Sequence, residues 1–545
     1  MNENLMRCGT DLVSSEGARK IDREASEQWG LDPFALVEAA GRSCAQEFSV
    51  NISRQGASTL RFATQRAKRY SQISGFSPRL CVFARGNEDS IKITVLAGSG
   101  NNAADALVML KTLIFKGCVQ PSQCTVLLAK QPENINTPQT KALLAVKKFG
   151  VPVMVWNDEK AAEFTQNCFI IDGIAGTGLN GPLHGTALEM AEWANSMHRK
   201  ENSVTVISID VPSGNCDGWR PDMPIINAHA TLAIEPQKLC LYTPAARPHA
   251  GTIIPVGGIF HPELTAQHRL AEIVKWESAA AAIPRVPAAA HKYERGLVEI
   301  WAGSPGAAGA AKLAALGAQA AGAGLVRLIV DPSLYPVIAP VCSGVMVVPG
   351  GGEVEKDRFT PAAVLLGPGW GRSEDRRRLL ETYLPLEKDG LPLVLDADAI
   401  HLAKNMNFHG NTIITPHTGE MAAFTGIAKN EILADPVPVL RRCAAEKKIT
   451  ILFKSHVMIV ASHDGRIGVI DGMNPLLAAG GAGDVLAGFC ASIAGKVTDT
   501  FSAACAAAAL LIQSAQSKDI AGRFIDPAEL AHAASAIAGA AWLGD

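Results

Sequence analysis

Between Asn474 and Gly488 the chain reads N-P-L-L-A-A-G-G-A-G-D-V-L-A-G. Gly480, Gly481 and Gly483 leave the loop almost without side chains, and Asp484 stands directly before the apolar helical pattern of Val485, Leu486 and Phe489. A glycine-rich turn feeding a helix aims main-chain N–H groups and the positive end of the helix dipole at one point, which makes an anion site. A carboxylate at the mouth of such a site is repelled by the anion, so its presence needs a reason. One reason is chemical: Asp484 takes the proton from a hydroxyl attacking a phosphoryl group, while the N–H groups stabilise the charge that develops. The other is structural: Asp484 caps the helix and the glycines only turn the chain.

The elements around this loop alternate. In the second half, Gly296–Ala302 reads as a strand, followed by the small-residue loop Gly303–Ala311 and a helix over Lys312–Ala321. Another strand runs through Gly322–Val330, and Ala363–Leu366 ends in G-P-G-W-G. Leu393–Leu395 ends in D-A-D-A, Thr412–Ile414 in T-P-H, and Thr450–Phe453 in Lys454-Ser455-His456. Polar residues after successive strands predict a parallel sheet with its ligands beyond the carboxyl ends of the strands.

The first half repeats that logic with other residues. Ile91–Leu96 reads as a strand and leads into Gly98-Ser99-Gly100-Asn101-Asn102-Ala103-Ala104-Asp105, then a helix over Ala106–Phe115. Strands over Phe169–Ile171 and Val204–Ile209 end in Asp172-Gly173 and in Asp210-Val211-Pro212-Ser213-Gly214. A strand over Thr125–Leu128 and a helical pair over residues 15–48, broken at Gly30-Leu31-Asp32-Pro33, complete the pattern. Residues 49–90 are polar and basic and read as a solvated insertion. Ser278–Ala290, rich in Ala and Pro, reads as a linker or an opening segment, which places the boundary near residue 275.

At 545 residues the chain is too long for one ordinary core, and 48% hydrophobic with 19% charged residues suits large buried sheets. A net charge of -2 gives no electrostatic case for nucleic acid or an anionic membrane. The twelve cysteines form no C-x-x-C pair, which fits reduced thiols in a cytoplasmic protein. The N-terminus carries Glu3 and Asp11 and no apolar core of signal-peptide length, and no apolar run approaches a membrane span.

The ordered set G-S-x-G-x-x-G-A, G-P-G-x-G, D-A-D-A, T-P-H-x-G-E and G-G-x-G-D over about residues 285–540 resembles the ribokinase-like ADP/ATP-dependent NAD(P)H-hydrate dehydratases. The three loops of the first half, with Leu36-Val37-Glu38-Ala39-Ala40-Gly41, resemble the YjeF N-terminal domain, the NAD(P)H-hydrate epimerase family. The resemblance implies an α/β chain of two domains, residues 1–275 and 276–545. The first would be a Rossmann-like and the second a ribokinase-like three-layer sandwich. The implied activity is repair of hydrated NADH and NADPH. The first domain would interconvert the R and S hydrates and the second would dehydrate the S hydrate at the expense of ADP or ATP.

The sites implied by the resemblance follow motif by motif. Asn101, Asn102, Ala103, Ala104, Asp105, then Gly176, Thr177, Gly178, Leu179, Asn180, Gly181 and Pro182, with Asp210, would contact the hydrate in the epimerase. Asn102, Asp172 and Ser213 would hold K⁺, a hard cation suited to oxygen ligands. In the dehydratase, Ala310, Gly369, His417 and Asp484 would line the hydrate site. Lys454, Ser455, His456, Val457 and Met458, with Gly483, would hold the adenine nucleotide, and Asp396, Asp398 and Glu420 are candidates for the outer shell of Mg²⁺. Lys238 falls where the family often has a lysine, facing phosphate or simply solvent. The partners implied are the hydrate and the nucleotide, bound by a homo-oligomer, with no nucleic acid or membrane.

Three departures stand out. The family's G-N-N-G-G-D-G is G-N-N-A-A-D-A here, and if Ala103 and Ala104 need positive φ, strain of roughly 1–2 kcal/mol per residue weakens the epimerase. Ser455 replaces a glycine, and Ala479 and Ala482 replace hydroxyl residues. The alternatives are a kinase of the same fold acting on hydroxymethylpyrimidine or a sugar, and a YjeF-type first domain that only binds.

Overall fold

The computed structural model describes residues 9–53, 92–134, 136–157, 168–200, 204–350 and 360–543. Most of the basic stretch read as an insertion lies outside them. The chain forms two units, Thr10–Ala271 and Glu272–Asp545, the latter grouped with Gly9 from the start of the chain. No helix among the described residues is long and apolar enough to cross a membrane.

In the first unit, β1 (Gly9–Val13) is followed by helices Ser15–Glu27 and Pro33–Ser53. The main sheet contains β2 (Lys92–Ala97), β3 (Cys124–Leu128), β4 (Val153–Val155), β5 (Cys168–Gly173), β6 (Thr205–Ile209), β7 (Ala230–Ile234) and, beyond the short β8 (Gln237–Lys238), β9 (Thr252–Val256). Its order is β4-β3-β2-β5-β6-β7-β9 and every pairing is parallel. Side chains of a strand alternate between faces. Val95, Val126, Ile171 and Ile207 meet residues of helices Pro33–Ser53, Asn101–Phe115 and Pro138–Lys148 in one core. Leu96, Leu127, Ile170 and Val206 meet helix Gly185–Lys200 in the other, which gives three layers.

The Glu38 to Gly41 motif has a packing role. A Cβ on Gly41 would lie 2.5 Å from Val108 Cβ and 2.8 Å from the carbonyl oxygen of Asp105, so only glycine lets helix Pro33–Ser53 lie this close to helix Asn101–Phe115. Glu38 is ion-paired with Lys111 of that helix.

The second unit holds β10 (Ala271–Val274), β11 (Leu297–Trp301), β12 (Leu325–Val330), β13 (Met346–Pro349), β14 (Ala363–Leu366), β15 (Leu393–Leu395), β16 (Thr412–Ile414), β17 (Thr450–Phe453), β18 (Val457–Ala461) and β19 (Ile467–Asp471). They lie in the order β13-β12-β11-β14-β15-β16-β17-β18-β19-β10. Only β18 runs antiparallel to its neighbours. Val298, Ile300, Leu328, Leu365 and Val394 pack under helices Ala308–Ala320, Ala482–Ala494, Thr500–Ala515 and Pro527–Trp542. On the opposite face, Trp301 Nε1 donates to Tyr383 Oη at 2.8 Å, tying β11 to helix Glu374–Lys388.

Helices Ala308–Ala320 and Ala482–Ala494 cross at glycines. A Cβ on Gly488 would stand 2.2 Å from the Ala314 carbonyl oxygen, and one on Gly317 2.3 Å from that of Val485. The helix that begins at the candidate anion loop is therefore seated against its neighbour backbone to backbone. Ser278–Ala290 proves to be an opening segment rather than a loose linker. It begins inside helix Trp276–Ala281, buries Ala279, Ala280 and Ile283, and is tied down by Trp542 Nε1 donating to the Ala280 carbonyl at 3.1 Å.

Candidate functional site

In the second unit the polar residues converge at the carboxyl ends of the parallel strands. Gly303, after β11, donates its N–H to the Pro368 carbonyl, and Ser304 Oγ donates to the Gly369 carbonyl at 2.9 Å. Gly369 has φ +56°, and a Cβ there would meet Ala307 Cβ at 2.7 Å and Ala310 Cβ at 3.1 Å. Gly369 and Ala310 are thus brought together, and the open space at Gly309 leaves room beside them. Gly367, at φ +122°, lies on the Asp396 carbonyl, where a Cβ would be 1.8 Å away. The glycines of G-P-G-x-G are required by close approach and by positive φ.

The centre of this arrangement is an ammonium among carboxylates. Lys454 Nζ donates to Asp396 Oδ1 at 2.6 Å and stands 3.9 Å from Glu420 Oε2. Thr415 Oγ1 donates to the same Asp396 oxygen at 2.6 Å. A Cβ on Gly483 would come within 3.4 Å of Lys454 Nζ, so the ammonium borders the glycine loop itself. Burial works against the Lys454 charge, yet Asp396 foremost, then Glu420 and Asp484, hold its pKa above the usual lysine value. Asp484 follows Gly481, whose φ of +103° turns the chain into helix Ala482–Ala494. Its carboxyl is pushed up to about 6 by burial first, then by the charges of Asp396 and Glu420, with Lys454 opposing them. A carboxylate poised near neutrality beside helix-terminal N–H groups and an ammonium suits a general base in phosphoryl transfer.

His417 is the N-cap of helix Thr418–Thr425. Its Nδ1 accepts from Gly419 N at 2.8 Å and Glu420 N at 3.2 Å, while Glu420 Oε2 accepts from His417 N at 2.8 Å. The capping box leaves Nε2 to carry the proton, and this nitrogen stands 3.5 Å from Glu420 Oε1 on an exposed ring. Asp398 is a loop clasp: its two oxygens accept from Gly371 N and Arg372 Nε, each at 2.7 Å. Val457 and Met458 are buried strand residues whose side chains belong to the core, which leaves only their backbone for a nucleotide. Ser455 bonds the main chain of Val457 on the turn before them, and His456 is exposed there.

The first unit has its own convergence. Asn101 opens helix Asn101–Phe115, with Asn102 and Asp105 in its first turns. Loop Gly98–Gly100 is pressed against the loop after β5, since a Cβ on Gly98 would sit 1.8 Å from the Ile174 carbonyl oxygen. A Cβ on Gly176 would lie 3.1 Å from Asn102 Cβ. Asp172 accepts from Ser208 Oγ at 2.7 Å and Ser213 N at 2.9 Å, and Ser213 Oγ accepts from Ala175 N at 2.8 Å. Thr177 is held by Arg19 Nη1 donating to its carbonyl at 2.6 Å, and Leu179 packs beside Cys216 and Trp219. Gly178, Asn180 and Pro182 are exposed and Gly181, at φ +92°, turns the loop.

Two expectations change here. Ala103 and Ala104 lie inside helix Asn101–Phe115 without positive φ, and their methyls are fully buried in the core. The strain considered for them does not arise, because alanine is the better helix former at both places. Lys238 is not a surface lysine: it is buried and donates to Asp210 Oδ1 at 2.6 Å and the Ile234 carbonyl at 3.1 Å. The signal for burial was its apolar setting, between Leu232 and Ile234 on one side and Leu239 and Leu241 on the other. Asp210 is one of few non-glycine residues with positive φ, at 66°, a strained conformation found at functional positions.

Both halves have relatives. Residues 34–240 match the family described as YjeF-related protein N-terminus, and residues 298–537 match the NAD(P)H-hydrate dehydratase family. The chain is 28% identical over 509 residues to the bifunctional NAD(P)H-hydrate repair enzyme Nnr of Moorella thermoacetica, covering 89% of this chain and 88% of that one. It is 28% identical over 431 residues to that of Escherichia coli, covering 76% and 78%. A crystal structure of the ADP/ATP-dependent NAD(P)H-hydrate dehydratase from Bacillus subtilis with ATP and Mg²⁺ is 27% identical and covers 49% of this chain and 97% of that one, at a TM-score of 0.45.

Proposed function

Because the chain belongs to the family that joins a YjeF-related N-terminus to an NAD(P)H-hydrate dehydratase domain, we propose that it repairs hydrated NADH and NADPH through two activities. The dehydratase belongs to residues 276–545 and the epimerase to residues 1–275. The observation that carries the reading is Asp484, with a carboxyl near 6, set beside the glycine loop and the Lys454 ammonium.

In the dehydratase, the hydrate's ring lies over the small residues Ala310 and Gly369, beside the exposed ring of His417. The N–H groups around Gly481 and Gly483 bind the terminal phosphate of ADP or ATP, and Lys454 adds a positive charge beside them. Asp484 removes the proton from the ring hydroxyl as its oxygen attacks phosphorus. The hydroxyl becomes a phosphate ester, which departs far more readily than hydroxide; the adjacent ring carbon then gives up a proton to water, and the new carbon–carbon double bond restores the dihydropyridine. Ser455 and His456, with the backbone of Val457 and Met458, take the rest of the nucleotide. Mg²⁺ brought with the nucleotide would spread the phosphate charge. Asp396 and Glu420, already engaged with Lys454, suit a hydrated ion reached through water, whereas both oxygens of Asp398 are taken by protein donors.

For the epimerase, the hydrate binds over Asn101–Asp105, the loop Gly176–Pro182 and Asp210. K⁺ would be held by Asn102, Asp172 and Ser213. The donor set fits in kind: Asn102 Oδ1 is buried without a hydrogen-bond partner among the described residues, and the buried Asp172 is held only by neutral donors. The ion would supply charge neutralisation there and fix the three loops. We place this enzyme in the cytoplasm as a homo-oligomer, a location that scattered free cysteines support.

The test of the reading is turnover. Hydrated NADH with ADP or ATP should regain dihydronicotinamide absorbance and release free phosphate. Accumulation of a stable phosphorylated product would instead indicate a kinase. Two further outcomes are expected. Dehydration, measured as kcat/KM, should fall about tenfold per pH unit below about pH 6, because Asp484 must be ionised to act and burial holds its pKa there. A flat profile from pH 5 to 8 would contradict this. The double variant Ala103→Gly, Ala104→Gly should lose about 2 kcal/mol of stability in thermal melts, roughly 1 per helical glycine, with no gain in epimerisation rate. A faster epimerase would show that the methyls obstruct the site after all.

A further inference from the structure

Where the first unit's loops converge, polar groups are buried without partners. Both amide atoms of Asn102 and Oδ1 of Asp105 have no hydrogen-bond partner among the described residues, and the two residues are only 7% and 9% exposed. Buried polar atoms are almost always satisfied, so orphans clustered in the first turns of one helix point to a ligand that completes them. Two carboxyls there sit in opposite environments. Asp210 faces the Lys238 ammonium at 2.6 Å. Among the described residues Asp105 has no cationic partner in hydrogen-bond contact; it lies near Cys44 of helix Pro33–Ser53 and feels the charges of Asp210 and Asp22.

We infer that Asp105 and Asp210 are the acid and base of hydrate epimerisation, with Asp105 giving a proton to the ring hydroxyl and Asp210 taking one from the water that replaces it. The inference rests on the epimerase reading given above and adds roles that substrate contact alone does not imply. Paired carboxyls in unlike surroundings, one against an ammonium and one buried without a cation in contact, can divide such roles between them. Burial first, then the charges of Asp210 and Asp22, raises the Asp105 carboxyl well above the ordinary range against the pull of Lys238, which favours its protonated, donating form.

The R and S hydrates differ at a carbon bearing both the hydroxyl and the ring nitrogen. Asp105 protonates the hydroxyl, the carbon–oxygen bond breaks, water leaves, and the nitrogen lone pair forms a carbon–nitrogen double bond. Water adds to the other face of that carbon, the electron pair returns to nitrogen, and Asp210 accepts the proton the water sheds. The reverse direction exchanges the two roles, and proton exchange with solvent resets the pair.

The full-length chain tests this with R hydrate in water labelled with heavy oxygen. The wild type should take the label into the hydroxyl as fast as it epimerises. Asp105→Asn, isosteric and neutral like the protonated acid, should lose both rates at least about 100-fold. Its dehydration of S hydrate should be unchanged, which shows that the chain is folded. Asp210→Asn should fall similarly. Asp105→Asn at the wild-type rate, or wild-type epimerisation without uptake of label, overturns the assignment and leaves the epimerase reading standing. A wild type no faster than the uncatalysed reaction overturns both.

Discussion

Asp484→Asn should lower kcat for hydrate dehydration by about 10³-fold or more, leave nucleotide affinity within a few-fold, and make the protein more stable at pH 8. The first effect follows from losing the only proton acceptor assigned to the ring hydroxyl. The second follows because the phosphate is held by main-chain N–H groups and Lys454, none of which the substitution removes. The third comes from linkage. In the fold, the Asp484 carboxyl is pushed from 3.8 up to about 6 by burial, Asp396 and Glu420, so ionising it there is unfavourable. At about 1.4 kcal/mol per pH unit, and allowing for partial exposure, this amounts to roughly 2 kcal/mol. Losing a negative charge from the first turn of a helix costs about 0.3–1 kcal/mol, so net stabilisation remains. The sign gives the pH window. The folded protein binds this proton more tightly than the unfolded chain, so the penalty is absent below about pH 4 and complete above about pH 6. The variant's advantage in chemical denaturation should grow through that window and vanish in acid. Turnover at the wild-type rate, or equal stability at pH 8, would remove Asp484 from the role of base.

Lys454→Met should do the most damage to the fold. It leaves Asp396, Glu420 and Asp484 facing one another without their cation. Breaking a buried pair from one side typically costs about 3–5 kcal/mol, because the remaining charge is neither solvated nor paired. Part of that loss should be recovered at pH 5, where Asp484, already pushed up to about 6, can take up a proton instead. Residual dehydration should shift its pH dependence upward, since Lys454 is the group holding the Asp484 value down. Denaturation midpoints at pH 5 and pH 8 decide the matter. A variant as stable as the wild type at pH 8 would mean that the ammonium does not bind this cluster together.

Those roles were unevenly legible before folding. The carboxyl-end loops were readable because a parallel sheet sends every strand's successor loop to one edge, so Thr415-Pro416-His417, Lys454 and the glycine loop had to meet. The G-P-G-x-G glycines could be recognised as necessary without knowing against what. Pairings at long sequence separation were not legible. Nothing local to Lys454 shows that Asp396, 58 residues away, is its partner. Nor does anything near Lys238 name Asp210. Backbone conformation at Ala103 and Ala104 was hidden as well, because a strand-to-helix loop can hand over to its helix at any of several residues. The structure begins the helix at Asn101, which turns a suspected strain into ordinary helix formation. Val457-Met458-Ile459-Val460-Ala461 was half-read. The family resemblance implied nucleotide contact at Val457 and Met458, while the apolar run they open is that of a strand buried on both sides.

The most direct measurement is a crystal structure of the full chain with a non-hydrolysable ATP analogue, Mg²⁺ and NADH in place of the hydrate. The account predicts the terminal phosphate on the N–H groups of Gly481–Gly483, the Asp484 carboxylate between it and the nicotinamide ring, and that ring over Ala310 and Gly369. A terminal phosphate lodged in another crevice, with Asp484 turned away from both ligands, would contradict it.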